Sequence, residues 1–303
     1  MYGGTVASIV MAGDAALHQV TTTDGQLTVV ACGCSPLQRA RLQDSIRGTA
    51  QMYVVEDLRG LWLSAQESFR SPAVVVLAVS ADTARDAVAM VRDLRIRCPR
   101  AALVAYCGGV REAPASIAAL AAAGVHQFLF AEVNDRGATL RAIIENARQQ
   151  CTADVVLAAL RPLIPAPIHP MAEALLSRPA VVCDVRALAA ALGVHRKTLF
   201  NRCTSTSFVA PAELVTWTRL ALVAYLLETT GFTVERIALE TGYPSPTALR
   251  NTMKRYTGMR ATDIRAGGGL AVVIDCLRSR LQSIHVPTLA PLTAREASAL
   301  HLE

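Results

Sequence analysis

The chain's two lysines, Lys197 and Lys254, each stand in a short run of cationic and amide side chains: Arg196, Lys197, Asn201 and Arg202 in one, Arg250, Asn251, Lys254 and Arg255 in the other. A guanidinium offers two parallel donors that match the acceptor pair on a guanine edge. A carboxamide donates and accepts against adenine, and an ammonium neutralises a backbone phosphate and releases its counterion. These residue types suit contact with double-stranded DNA, a chemistry that requires no cofactor, no metal and no catalytic group.

Other chemistry is sparse. The eight cysteines (Cys32, Cys34, Cys98, Cys107, Cys151, Cys183, Cys203, Cys276) are scattered, without a CxxC pair or a histidine pair at zinc spacing. Reduced, buried thiols are the expected state. Cys32 and Cys34 in "ACGCSP" are the one pair close enough for redox or metal work, at the end of one expected strand.

Spacing indicates what must hold the basic runs. Asp184 is placed to cap a helix over "VRALAAAL", in which Val185, Leu188, Ala189 and Leu192 recur at helical spacing, and Gly193 ends it. After "GVH", a second helix, "RKTLFNRCT", turns Leu199 and Cys203 inward and leaves Arg196, Lys197, Asn201 and Arg202 for other faces, which is helix-turn-helix grammar. The same arrangement returns in "IALETGYPSPTALRN", with Ile237, Ala238 and Gly242 lying 49 positions after Leu188, Ala189 and Gly193. Thr233 is the expected cap of its first helix, and Ser245 followed by Pro246 opens its second. Between the copies, "PAELVTWTRLALVAYLLETTG" reads as one helix from Pro211 to Glu228 with Leu214, Trp217, Leu220, Ala221, Ala224 and Leu227 on a core face. Eighteen residues span about 27 Å, and neighbouring major-groove segments on one DNA face lie about 34 Å apart.

From Val181 to Arg265 this stretch resembles the double helix-turn-helix domain of the AraC/XylS family of bacterial transcription regulators, most specifically in "RLALVAYLLETTGFTVERIALETGY". The resemblance implies that Arg196, Lys197 and Asn201 of the first reading helix, and Pro246, Thr247, Arg250 and Asn251 of the second, face base edges. Arg202, Lys254 and Arg255 fall toward phosphates, and Ser245 at the mouth of the second helix belongs to the same DNA-binding set. The chain departs from the family at His195 (usually a small cap), Asn201 (often arginine), Ser207 (a turn glycine) and Ala261 (a proline).

Upstream, apolar runs 27–32, 52–56, 73–79, 101–107 and 127–130 suit short buried strands, separated by helix-length segments such as "SPLQRARLQDSI" (apolar Leu37 and Leu42) and "TARDAVAMVRDLRIR" (Ala87, Val88, Val91, Leu94). Five strand-helix units predict a parallel sheet covered on both faces, a flavodoxin-like α/β fold. With "AAAGVHQFLFAEVN" near the fifth strand, the region resembles the receiver domain of bacterial response regulators. That resemblance implies paired carboxylates, a phosphoacceptor aspartate, a hydroxyl and a lysine at the sheet's edge. Here strand one runs into "CGCSP", Ala78 stands at the aspartate position, Tyr106 or Cys107 at the hydroxyl and Ala131 at the lysine, while Asp82 is expected to cap the following helix. The reading is a pseudo-receiver, without phosphorylation chemistry, retained for dimer contacts through its last helix or for sensing a ligand at the strand ends.

The expected organisation is a poorly ordered leader (1–26), the receiver-like domain (27–150), a Pro-rich linker with short helices (151–180), the DNA-binding domain (181–265) and a tail (266–303) with one helix, "LAVVIDCLRSRLQSI", turning Val272, Val273, Cys276 and Leu277 to one side. It either packs back or binds a partner. With 52% hydrophobic and 18% charged residues the chain is far from the disordered class. No apolar run reaches membrane-spanning length, and residues 1–26 lack a basic start followed by a long apolar stretch, so a cytoplasmic protein is expected. Of the net charge of +6, residues 180–265 carry eleven Lys/Arg against six Asp/Glu. Expected partners are promoter or operator DNA, a second copy of the chain and RNA polymerase. The competing reading is a small-molecule-binding or redox-sensing α/β protein with an accessory basic helical domain.

Overall fold

A computed structural model of the chain describes residues 10–11, 27–56, 73–80, 82–108 and 114–285. The first half is built on a parallel sheet: β1 (Val10–Met11), β2 (Leu27–Cys32), β3 (Ala50–Val55), β4 (Ala73–Val79), β5 (Ala102–Cys107) and β6 (Gln127–Phe130), in the order β1-β3-β2-β4-β5-β6. The central strands are almost continuously apolar, Thr28 and Tyr106 excepted, because both faces are covered. Val29, Ala31, Val74 and Val76 point to one face, under α1 (Pro36–Ile46) and α4 (Gly137–Leu160). Val30, Cys32, Val75 and Leu77 point to the other, under α2 (Ala84–Arg97) and α3 (Pro114–Ala123).

Several local expectations need correction. Val10–Met11, inside the segment expected as a poorly ordered leader, adds a short edge strand beside Tyr53 and Val54, and the rest of that segment lies outside the described residues. Leu37 is exposed and only Leu42 of that pair is buried. Asp82 does not cap α2: the N-cap is Thr83, whose backbone N–H donates to the Ser80 hydroxyl.

The expected boundary at residue 150 falls inside α4, which runs unbroken for 24 residues because no proline or glycine interrupts it. Its first turns bury Leu140, Ile144 and Ala147 on the sheet, whereas Val156 and Leu160 enter the core of the helical half. The Pro-rich stretch beyond it carries the expected short helices but packs into the helical core. Its prolines restrict helix to a 3₁₀ turn (Ala166–Ile168) and α5 (His169–Ser177), and Ile164, Ile168, Met171, Leu175 and Leu176 join the same core as Trp217.

The helical half continues with α6 (Val185–Ala191), α7 (Arg196–Ser205), α8 (Pro211–Thr229), α9 (Val234–Glu240), α10 (Pro246–Thr257), α11 (Ala261–Ala266) and α12 (Leu270–His285). The tail helix α12 packs back, burying Leu270, Val273, Ile274 and Leu277, with Arg280 donating to Glu213 at 2.8 Å. Residues 286–303 lie outside the described part.

Candidate nucleic-acid interface

Two units of equal design flank α8. In the first, the Asp184 carboxylate accepts from the Ala187 N–H at 2.7 Å to start α6, and Gly193 turns the chain at φ +63°. His195 then caps α7 through Nδ1, which accepts from the Lys197 N–H at 3.2 Å, so the imidazole does the work of the usual small residue. In the second, Thr233 caps α9 and Gly242 turns at φ +70°. Ser245 Oγ accepts from the Ala248 N–H at 3.1 Å, and Pro246 occupies the first turn of α10. Leu188 and Leu199 in one unit, and Ile237 and Leu249 in the other, are buried against the shared core.

Between them α8 is buried on every side, from Leu214 and Trp217 to Leu227, as expected of a central helix rather than an amphipathic surface one. Its 19 residues span about 28 Å. Trp217 meets Tyr256 of α10 edge to face at 5.1 Å between centroids. Arg219, which sequence reasoning did not single out, ties both units to this rod. Its Nε donates to the Thr241 carbonyl at the end of α9 (3.0 Å), its Nη1 to the Cys183 carbonyl just ahead of α6 (3.2 Å), and its guanidinium lies 3.9 Å from the Tyr243 ring centroid. Arg265 closes the far end, donating to the carbonyls of Leu227 and Phe232.

The sequence-selected side chains divide by engagement. Arg196, Lys197 and Asn201 are exposed on α7, and Arg202 is half-buried beside them. On α10, Thr247, Arg250, Asn251, Lys254 and Arg255 are exposed, with Ser245 and Pro246 half-buried at its start. Arg250 donates to Glu235 at 2.7 Å, but both partners are more than half exposed, and such a pair is easily exchanged for another acceptor. Lys254 Nζ donates to the Gly258 carbonyl at the helix C-cap, and Arg255 packs on Tyr256. Phe200, also missed in the sequence, is 47% exposed on α7 between Lys197 and Asn201 on one side and Arg196 on the other. Its signal was an aromatic at a position where the helical pattern needed none for the core.

At the sheet's C-terminal edge, Ala78 lies in register with Tyr106, and among the described residues that directly follow the strands the one carboxylate is the exposed Glu56 after β3. Among the described residues the one buried carboxylate here is Asp135, in the loop after β6; it is engaged by Arg41 and accepts from the Tyr106 hydroxyl at 2.6 Å and from the Glu132 N–H at 3.0 Å. Burial works to raise its pKa, but these partners outweigh it and hold the carboxyl below its usual value. Cys34 is buried with its thiol pushed up to about 12, chiefly by desolvation, which removes the thiolate that redox exchange uses. Among the described residues no His/Cys/Asp/Glu group has the makings of a metal site, and no helix is long and apolar enough to cross a membrane.

Comparison with known proteins places the two units together: residues 188–267 match the family model described as a helix-turn-helix domain. Among solved structures, the chain is similar to a DNA-binding transcriptional dual regulator from Escherichia coli K-12, at 20% identity over 35% of this chain and 94% of that one, with a TM-score of 0.31. It is similar to the DNA-binding domain of AdpA, described as a global transcriptional factor in complex with a target DNA, at 32% identity over 32% and 91% of the two chains, with a TM-score of 0.29. A third similarity, at 12% identity over 63% and 98% with a TM-score of 0.30, is to RcsB from Salmonella enterica serovar Typhimurium bound to a promoter. No curated protein matches the chain.

Proposed function

We propose that the chain is a DNA-binding transcription regulator of the AraC/XylS type, which sets α7 and α10 in two successive major-groove segments of one duplex. The observation that carries this reading is the coincidence of the matched helix-turn-helix region, 188–267, with two capped units clamped to a single rod. Base edges are read by Arg196, Lys197, Asn201, Pro246, Thr247, Arg250 and Asn251, and phosphates are met by Arg202, Lys254 and Arg255. The α/β half is a flavodoxin-like pseudo-receiver. Support for it comes from the order β3-β2-β4-β5-β6, the doubly wound order of that class, and from Ala78 at the phosphoacceptor position. It serves dimerisation or signal input, and the protein acts without catalysis in a bacterial cytoplasm, in concert with RNA polymerase.

A gel shift on promoter fragments tests this. Binding falls steeply with salt; Lys254→Ala weakens it across all sequences and lowers the salt slope by about one, whereas Arg250→Ala costs about 1–3 kcal/mol at one position and relaxes base preference there. Equal affinity for every fragment would contradict the reading.

A further inference from the structure

Six carboxylates lie between residues 180 and 265, the stretch assigned above to contact with a polyanion. Five of them have other tasks. Asp184 caps α6, and Asp263 accepts from the Arg260 N–H at the start of α11. Glu213 is tied to Arg280, Glu228 to Arg100 and Glu240 to Arg236. Glu235 differs: from the first turn of α9 it accepts from Arg250 Nη2 of the reading helix α10 at 2.7 Å.

The pairing is particular from the other side too. Among the described residues, Arg196, Lys197, Arg202, Lys254 and Arg255 form no ion pair, so Arg250 is the one cation of the two reading helices that faces solvent beside a carboxylate. The carboxyl of Glu235 is held below its usual value, first by its own backbone N–H and then by Arg250, and it therefore stays charged at neutral pH. With Arg250 52% and Glu235 60% exposed, the pair is accessible to DNA and weak enough to be exchanged.

What can replace or join Glu235 depends on the chemistry of the newcomer. A phosphate carries the same charge as the carboxylate. Arg250 must leave one anion for the other, or hold two anions side by side, and either way little is gained. A guanine edge presents O6 and N7, two neutral acceptors matched to a planar guanidinium. It brings no charge against Glu235, and the guanidinium has further N–H groups to give it while Nη2 keeps its bond. A repulsive element that acts against the wrong partner and spares the right one raises discrimination.

We infer that Glu235 is a specificity-determining residue, which withholds Arg250 from phosphates and leaves it open to a guanine edge. The inference rests on the DNA-reading account of α10 and adds to it a residue that acts through Arg250 rather than on the base itself.

Glu235→Gln, which keeps the length of the side chain and removes its charge, tests this in the full chain, alone and combined with Arg250→Ala. Gel-shift titrations use two probes: the duplex that the wild-type protein enriches from a random pool, and poly(dA-dT), which presents no guanine edge. Glu235→Gln is expected to raise affinity for poly(dA-dT) about two- to fivefold, the range that an exposed ion pair spans. The salt dependence on that probe steepens by about one phosphate contact. The enriched duplex gains less, so discrimination falls, and in the Arg250→Ala background the gain on poly(dA-dT) is lost. A gain that persists in that background would make Glu235 one more surface anion. That result, an equal gain on both probes, no gain at all, or weaker binding of the enriched duplex would overturn the inference and leave the reading by α10 standing. If no duplex is enriched, or Arg250→Ala leaves the enriched duplex bound as before, the reading by Arg250 fails and the inference with it.

Discussion

At Phe200 an aromatic ring is 47% exposed on a helix whose neighbours Arg196, Lys197 and Asn201 are cationic or amide side chains. Apolar side chains in the major groove contact the thymine methyl group. Phe200→Ala is therefore expected to leave the folding stability within about 0.5 kcal/mol of wild type, as for an exposed site, while lowering affinity for the best site and relaxing its preference at one base pair. Selection of bound fragments with the variant checks this, and an unchanged consensus would remove Phe200 from the interface. Residues of this kind were only partly legible in the sequence. Charge and the repeat drew attention to Arg196, Lys197, Arg250 and Lys254, but composition alone says nothing of which cations are engaged, and Arg250 proves to be paired with Glu235. The role of Arg219 was hidden for a different reason: its partners are the carbonyls of Cys183 and Thr241, which every sequence possesses.

The elements that carry the two units were the most readable part of the chain, because each starts with a side chain that satisfies free helix N–H groups and turns at a glycine with positive φ. These signals are local, so they survive in sequence. What joins elements is not local. The unbroken course of α4 from Gly137 to Leu160 crosses from the sheet's core into the helical one without any change in residue type, and the prolines after it suggested a linker where Ile168 and Met171 are in fact buried. The clamp at Arg219 belongs to this scale. Hydrogen bonds from a charged donor contribute about 1.5–3 kcal/mol each, and Arg219→Met keeps the packing stem while losing two of them together with the stack on Tyr243. Urea unfolding should show a loss of about 3–6 kcal/mol, the sum of the two bonds. An unaltered midpoint would mean that the units are held by their apolar contacts alone.

Among the described residues, the two halves share one continuous helix and are joined by ionic contacts: Arg100 meets Glu228 at 2.9 Å, and Arg148 approaches Glu240 at 3.5 Å. The α/β half has its own electrostatic fastening in Asp135, whose carboxyl is held below its usual value in the folded state. A lowered carboxyl pKa gives stability that is present above the unfolded value of about 3.9 and is lost as pH falls through the folded one. Asp135→Asn should accordingly destabilise the protein at pH 7, and the gap to wild type should close on acidification below about pH 4. A gap that persists at low pH would point to lost packing instead. The claim on which the functional account rests is that both reading helices engage one duplex at a spacing fixed by α8. Hydroxyl-radical footprinting of a selected site measures this directly. The account predicts two protected patches on one face of the DNA, about 10–10.5 base pairs apart, with the patch nearer α10 weakened by Arg250→Ala and the other retained. A single protected patch, or protection without phase along the duplex, would contradict it.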